Sequence, residues 1–144
     1  MVTLCVTPTF GRSGKGFAGL SIPFEFAEGR GSMLISARIN SKPAMLIVDT
    51  GSAHTIVQPS IAGVNQGELA PPLAGAGIIG DAVGREVTLE VGRQVWRRRV
   101  AVMDLSAALS AYRETIDGLL GIDFFLEFSQ SVINLKDRTV TFVA

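Results

Sequence analysis

The chain has 144 residues, 47% hydrophobic and 18% charged, with 13 basic and 13 acidic side chains in balance. That length supports one buried core, and that composition excludes a disordered chain. A net charge of zero argues against nucleic acid as a partner, since phosphate binding needs a basic surplus; a single cysteine, Cys5, and a single histidine, His54, leave no internal disulfide and no ordinary zinc site.

Residues 1–19 are polar and glycine-rich after a short apolar patch. They read as a flexible N-terminal arm ahead of one domain spanning 20–144. The patch is too short for a secretory leader, and no apolar run reaches the roughly 18 residues of a membrane span. Residues 20–27 are expected to be extended, with Pro23 placing them at a sheet edge. Gly29 and Gly31 mark a turn. Over 33–40 the apolar residues Met33, Ile35, Ala37 and Ile39 alternate with Ser36, Arg38 and Asn40. That is the period of a half-buried strand, interrupted only by Leu34. A turn is expected at 41–43. Ala44-Met45-Leu46-Ile47-Val48 then runs apolar without a break, as a strand buried on both faces does. A hairpin follows, with strands at 86–91 and 95–103 and its turn at 92–94. Short helices are expected within 104–113 and 122–128. A closing hairpin pairs 131–135 with 138–143 through Lys136-Asp137. Many short strands separated by glycine turns predict an all-β barrel or sandwich with one or two short helices.

The chemistry centres on Asp49. A carboxylate at the end of a wholly apolar strand is costly to bury unless it is hydrogen-bonded or paired. Gly51 permits a tight backbone approach, and Thr50 and Ser52 bring hydroxyls that can hold the loop and the carboxylate. Asp-Thr-Gly-Ser is also good surface-turn chemistry. The five apolar residues before it favour the buried reading, because surface turns seldom follow such a run.

Residues 116–125 read Ile-Asp-Gly-Leu-Leu-Gly-Ile-Asp-Phe-Phe. Joined to Asp49-Thr50-Gly51 at this separation, they make the chain resemble the retropepsin-like, or clan AA, aspartic proteases. The likeness extends over residues 20–143. It is greatest to the bacterial single-domain type related to aspartyl proteases that can carry a PDZ domain. In that family a strand ending in Asp-Thr/Ser-Gly is crossed by a later strand ending in two apolar residues and glycine, with a short helix after it. Leu119-Leu120-Gly121 matches this later element, the psi-loop. The resemblance implies a closed retropepsin-like β-barrel. It also implies a glycine-rich flap hairpin over the substrate at about 73–87, in which Gly75, Gly77, Ile78, Ile79 and Gly80 would meet a peptide. Glycines there suit a mobile lid, although each alone also suits an ordinary surface loop.

Other motifs yield less. Gly75–Gly80 fits the spacing G-x-G-x-x-G, but Pro71-Pro72 precede it where a strand is required, and no acidic residue follows at about twenty positions. Gly14-Lys15-Gly16 lacks the Walker spacing. His54 as a catalytic base would need a nucleophile elbow that is not there; a partly exposed strand position is expected. Arg97-Arg98-Arg99 after Trp96 reads as a solvated hairpin or interface edge. Asp117 reads as a turn residue and Asp123 as a first-turn helix residue, where negative charge suits the dipole.

The chemistry that the resemblance implies is peptide hydrolysis by two carboxylates sharing one proton. Two such groups about 3 Å apart cannot both ionise. One activates a water while the other polarises the scissile carbonyl, and the roles then exchange. The chain holds one Asp-Thr-Gly, so a homodimer is expected to place two copies of Asp49 beside a two-fold axis. Thr50 of each copy would brace the pair, and no metal or cofactor is needed. An extended peptide or protein substrate would lie between flaps and dyad. Residues 138–143 are a candidate strand for a dimer sheet, an intramolecular strand being the simpler alternative. A catalytically silent peptide-binding or dimerisation module of the same fold is the competing reading.

Overall fold

The computed structural model describes residues 2–4, 19–65 and 82–144. The described chain forms strands β1 (Val2–Leu4), β2 (Leu20–Pro23), β3 (Glu25–Phe26), β4 (Met33–Ile39), β5 (Lys42–Val48) and β6 (Ile56–Val57), then helix α1 (Pro59–Ala62). It continues through β7 (Ala82–Val91), β8 (Gln94–Met103), α2 (Ser106–Leu109), β9 (Gly118–Leu120), α3 (Ile122–Phe125), β10 (Gln130–Asn134) and β11 (Thr139–Val143). The expected all-β architecture is observed: each helix is a single turn of 4 residues.

The larger sheet runs β3-β4-β5-β9-β6-β8-β7, and β4 also pairs with β7. That last pairing, Arg38 with Glu90 and Ile39 with Leu89, closes six strands into a barrel and leaves β3 attached at β4. Closure removes the exposed edges that an open sheet would present. A second sheet, β1-β10-β11-β2, packs its inner face on the barrel. Leu20, Ile22, Ile133, Val140 and Phe142 from this sheet share one apolar core with Ile35, Ile39, Leu46, Leu89 and Val102 of the barrel.

Local chemistry explains the joints. The extended stretch 20–27 divides at Phe24, where the chain passes from one sheet to the other. Phe24 is buried, and its N–H donates to the Arg138 carbonyl at 2.9 Å. The β4–β5 turn is made by Asn40 and Ser41, both with positive φ of 49° and 66°. This two-residue turn displaces the one expected at 41–43 and puts Pro43 inside β5. Pro43 is tolerated because Arg38↔Pro43 follows the closing pair Ile39↔Lys42. It is therefore a pair that exchanges no hydrogen bonds. On the other side, β9 pairs with β5 only from Leu46 onward.

Leu34, the break in the β4 alternation, is buried with Ala27, Ile47 and Ile116 in a separate small cluster on the outer face. The outer face of this strand is therefore covered at Leu34 and open at Ser36 and Arg38. Of the N-terminal arm, Val2–Leu4 pair antiparallel with β10, and residues 5–18 lie outside the described residues. β11 has neighbours on both sides, β10 and β2. The intramolecular alternative thus holds for residues 139–143, and this strand has no free edge for a dimer sheet.

Candidate functional site

Three short strands set the site. β9 lies between β5 and β6, parallel to the first and antiparallel to the second. Ile47↔Leu119 and Val48↔Leu120 bring the end of β5 beside the end of β9. Only glycine fits at the start of β9, because a Cβ at Gly118 would lie 2.3 Å from the Ile56 carbonyl oxygen. Leu119-Leu120-Gly121 lies at this crossing. Leu120 and Gly121 are buried, and Leu119 is half-buried on the opposite face.

Asp49 follows β5 directly and is half-buried. Its N–H donates to the Leu120 carbonyl at 3.0 Å, continuing the β5–β9 ladder by one residue. Its carbonyl accepts the Ser52 N–H at 3.1 Å, which closes a tight turn. Its carboxylate Oδ1 accepts the Gly51 N–H at 3.0 Å. The turn therefore supplies the hydrogen bond that a partly desolvated carboxylate requires. Of the two hydroxyls flanking Gly51, that of Ser52 donates to the His54 carbonyl at 2.7 Å and holds the loop. Thr50 is exposed at the tip.

The loop after Asp49 is clamped to the turn after β9. The Ile122 N–H donates to the Ser52 carbonyl at 2.8 Å. Thr55, buried to 1% exposure, accepts the Gly121 N–H on its Oγ1 at 3.1 Å. The same hydroxyl donates to Asp123 Oδ1 at 2.7 Å. Asp123 Oδ1 also accepts the Phe124 N–H at 2.9 Å, as a first-turn acid does.

Arg98 departs from the sequence expectation. Cross-strand register pairs Val87 with Arg98 and Leu89 with Trp96, so Arg98 lies on the core-facing side of β8. Its side chain is 9% exposed and faces two carboxylates, Asp123 at 3.7 Å and Glu127. Its guanidinium carbon lies 5.4 Å from the Phe124 ring centroid. Arg97 and Arg99, on the other face, are exposed as expected. Strand alternation between Trp96 and Val100 was the signal available for this placement.

His54 sits exposed in a bend and not on a strand. Asp117 does more than turn the chain. Its Oδ2 accepts the Met45 N–H at 2.9 Å while its own N–H donates to the Met45 carbonyl at 2.8 Å. It thereby docks the start of β9 onto β5. A cleft of about 470 Å³ lined by Gln58, Asn65, Asp104, Thr115 and Asp117 opens at this end, the opposite end of β9 from Asp49. Gly75, Gly77, Ile78, Ile79 and Gly80 lie outside the described residues. Among the described residues no cluster of His, Cys, Asp or Glu is placed to hold a metal ion, and no helix is long and apolar enough to cross a membrane.

A family model described as aspartyl protease matches residues 35–124, a stretch that contains both Asp49-Thr50-Gly51 and Leu119-Leu120-Gly121. None of the curated proteins compared matches the chain. Among solved structures, the chain is similar to a retropepsin-like aspartic protease from Rickettsia conorii, with a TM-score of 0.58 and 15% identity over 87% of this chain and 88% of that one. It is also similar to the retroviral protease-like domain of Ddi1 from Leishmania major, with a TM-score of 0.54 and 14% identity over 77% of this chain and 87% of that one. At such identities the likeness is one of fold.

Proposed function

This chain belongs to the aspartyl protease family, and from that premise we propose that it is an aspartic endopeptidase whose dyad is formed by Asp49 of two copies. The observation that carries the proposal is the seat of Asp49. A carboxylate ends a buried strand, is fixed by the Gly51 N–H, and adjoins the Leu119-Leu120-Gly121 crossing. The chain supplies a single Asp-Thr-Gly, and one carboxylate cannot both activate water and protonate a leaving amine at the same moment.

In this reading the two carboxylates share one proton across a two-fold axis. The ionised member takes a proton from a water placed between them, and that water attacks the scissile carbonyl carbon. The protonated member hydrogen-bonds the carbonyl oxygen as negative charge develops there. When the tetrahedral intermediate collapses, the carbon–nitrogen bond breaks and the amine leaves with a proton from the dyad. Thr50, exposed beside Asp49, is the residue proposed to meet its twin. Of the flap expected at about 73–87, residues 82–87 belong to β7 and Val87 is in the core, so the residues before β7 are proposed as the flap over an extended peptide; no metal, cofactor or nucleic acid enters the scheme.

The test is cleavage of an internally quenched peptide at mildly acidic pH, with Asp49→Asn as the paired variant. The asparagine amide oxygen still accepts the Gly51 N–H, so the fold should survive while turnover disappears and inhibition by statine-type compounds is lost with it. Specific activity should also fall on dilution, as a dimeric site requires. Unchanged turnover in Asp49→Asn defeats the proposal. A folded, dimeric and inactive wild-type protein would instead assign the fold to peptide binding or assembly.

A further inference from the structure

We infer that Arg98, acting through Asp123 and Thr55, is a positioning residue for the loop that carries Asp49. The inference rests on the reading of Asp49 as the reacting carboxylate.

The connection is continuous in the structure. Arg98 Nη2 faces Asp123 Oδ2 at 3.7 Å, and Asp123 Oδ1 accepts the Thr55 hydroxyl proton at 2.7 Å. Thr55 Oγ1 accepts the Gly121 N–H at 3.1 Å. At the other end of that same peptide unit, the Leu120 carbonyl accepts the Asp49 N–H at 3.0 Å. A hydroxyl has one proton to give. Because Thr55 commits it to Asp123, its lone pairs are aimed at Gly121. The charge on Asp123 makes it the stronger acceptor and holds that orientation, and Arg98 fixes where the carboxylate stands.

The cost of Arg98 argues for a role other than stability. It faces the core between Trp96 and Val100, where an apolar side chain would pack. Its Nε is buried with no hydrogen-bond partner among the described residues. Replacing a buried ion pair with apolar groups of similar volume is often neutral or stabilising. A guanidinium kept there with an orphaned N–H is better explained by what it positions. The position also has reach. Arg98 contacts both Asp123, at the start of α3, and Glu127, beyond its end. It thereby sets the angle at which α3, and the Gly121 turn before it, meet the loop 52–55.

The experiment compares Thr55→Val, Thr55→Ser and Arg98→Met in the full chain, with Asp49→Asn as the control. It records kcat and KM on an internally quenched peptide, Tm, and the hydrogen exchange of the Gly121 and Ile122 amides. Thr55→Val is expected to lower kcat by about 10- to 100-fold with KM changed by less than about twofold, because a sub-ångström shift of reacting groups acts on the chemical step. Thr55→Ser should recover most of that loss. Arg98→Met should lower kcat about tenfold when assayed well below its Tm. A fall in Tm is also expected, because Asp123 and Glu127 lose their countercharge, so the loss of kcat is judged at a temperature where the variant is fully folded. In both deleterious variants the Gly121 amide should exchange at least about tenfold faster, while β10 and β11 amides stay unchanged. Retention of kcat in Arg98→Met overturns the inference, and so does a loss that merely tracks Tm. The exchange arm keeps the two ideas apart: unchanged Gly121 exchange in Thr55→Val rejects the positioning path even if Asp49 proves not to be catalytic. Conversely, activity surviving Asp49→Asn rejects the catalytic reading alone.

Discussion

Gly121 is pressed against the backbone of His54: a Cβ at position 121 would lie 2.4 Å from both the carbonyl carbon and the carbonyl oxygen of His54. It would also approach the Thr55 nitrogen at 2.8 Å. These neighbours are backbone atoms, so no side-chain rotation can relieve the clash. The loop that begins at Asp49 is thus seated directly on the turn after β9. Gly121→Ala is expected to destabilise the fold by about 1–3 kcal/mol as an overpacking change. It should also lower peptidase turnover by about 100-fold as the loop is displaced. Gly31→Ala is the control, because nothing lies within 4 Å of its Cβ position. Thermal unfolding and peptide cleavage on the three proteins check the contrast.

The parts of this arrangement that were legible in the sequence are those with a strong local signal. Ala44 to Val48 announced a buried strand by their unbroken apolar run, and Asp49 was conspicuous at its end. The β7–β8 hairpin was legible around its turn at 92–94, although β7 begins at Ala82 and not at 86. Leu119-Leu120-Gly121 was recognisable only through family resemblance, since β9 has 3 residues and too little length for a period. β6 has 2 residues and left no signal at all. Pro43 misled because proline is punctuation in a sequence, whereas here its missing N–H falls on a side of β5 that needs no donor. Arg98 is expected with its neighbours on a solvated hairpin or interface edge, yet strand alternation turns it inward. The Thr55–Asp123 hydrogen bond joins residues 68 apart in sequence, a closeness that only the barrel creates.

The helix after the crossing anchors the whole core. Phe124 is fully buried and meets Trp96, Phe125, Phe128 and Phe142 edge-on, at centroid distances of 5.1–6.0 Å. It joins the barrel to the second sheet, since Phe142 lies on β11. Phe124→Ala should therefore cost about 3–5 kcal/mol, the transfer and cavity contributions acting together. Leu126→Ala, two residues on and 45% exposed, should change stability by less than about 0.5 kcal/mol. Urea unfolding of both variants measures the difference; equal losses would mean that α3 is not a core element.

The loop before β9 is latched to the turn before β4, and the latch senses pH. Glu114 Oε1 accepts the Glu28 N–H at 2.7 Å, and Arg113 pairs with Glu28 at 2.5 Å. The Glu28 N–H is the largest cause holding the Glu114 carboxyl below the ordinary glutamate value, with its own backbone N–H and Arg113 acting in the same direction against the opposing effect of burial. A folded-state value below the unfolded one contributes stability that is present above the ordinary glutamate value. That stability is lost as pH falls through the depressed value. The Tm difference between wild type and Glu114→Gln should therefore be present at neutral pH and shrink steadily under acid. It should be small, because the group is only half-buried and partly screened by solvent. A difference that persists unchanged at low pH would assign the latch to hydrogen bonding alone.

The shared dyad makes a quantitative statement about mixtures. If each chain worked alone, adding Asp49→Asn protein to wild type would leave the wild-type turnover unchanged. If the site is built from one Asp49 of each copy, every mixed dimer carries one aspartate and one asparagine. It then lacks the second carboxyl group that the proton exchange requires. With one wild-type chain to nine variant chains and free exchange of subunits, about one tenth of the wild-type chains find a wild-type partner, so activity per wild-type chain should fall to about one tenth. The asparagine variant is the right diluent because it retains the Gly51 hydrogen bond and hence the loop geometry that pairing needs. Mixing before and after a dilution step that allows exchange, then measuring cleavage, separates the two cases. Activity that stays proportional to the wild-type chain alone would place the second acid somewhere other than on a twin of this chain.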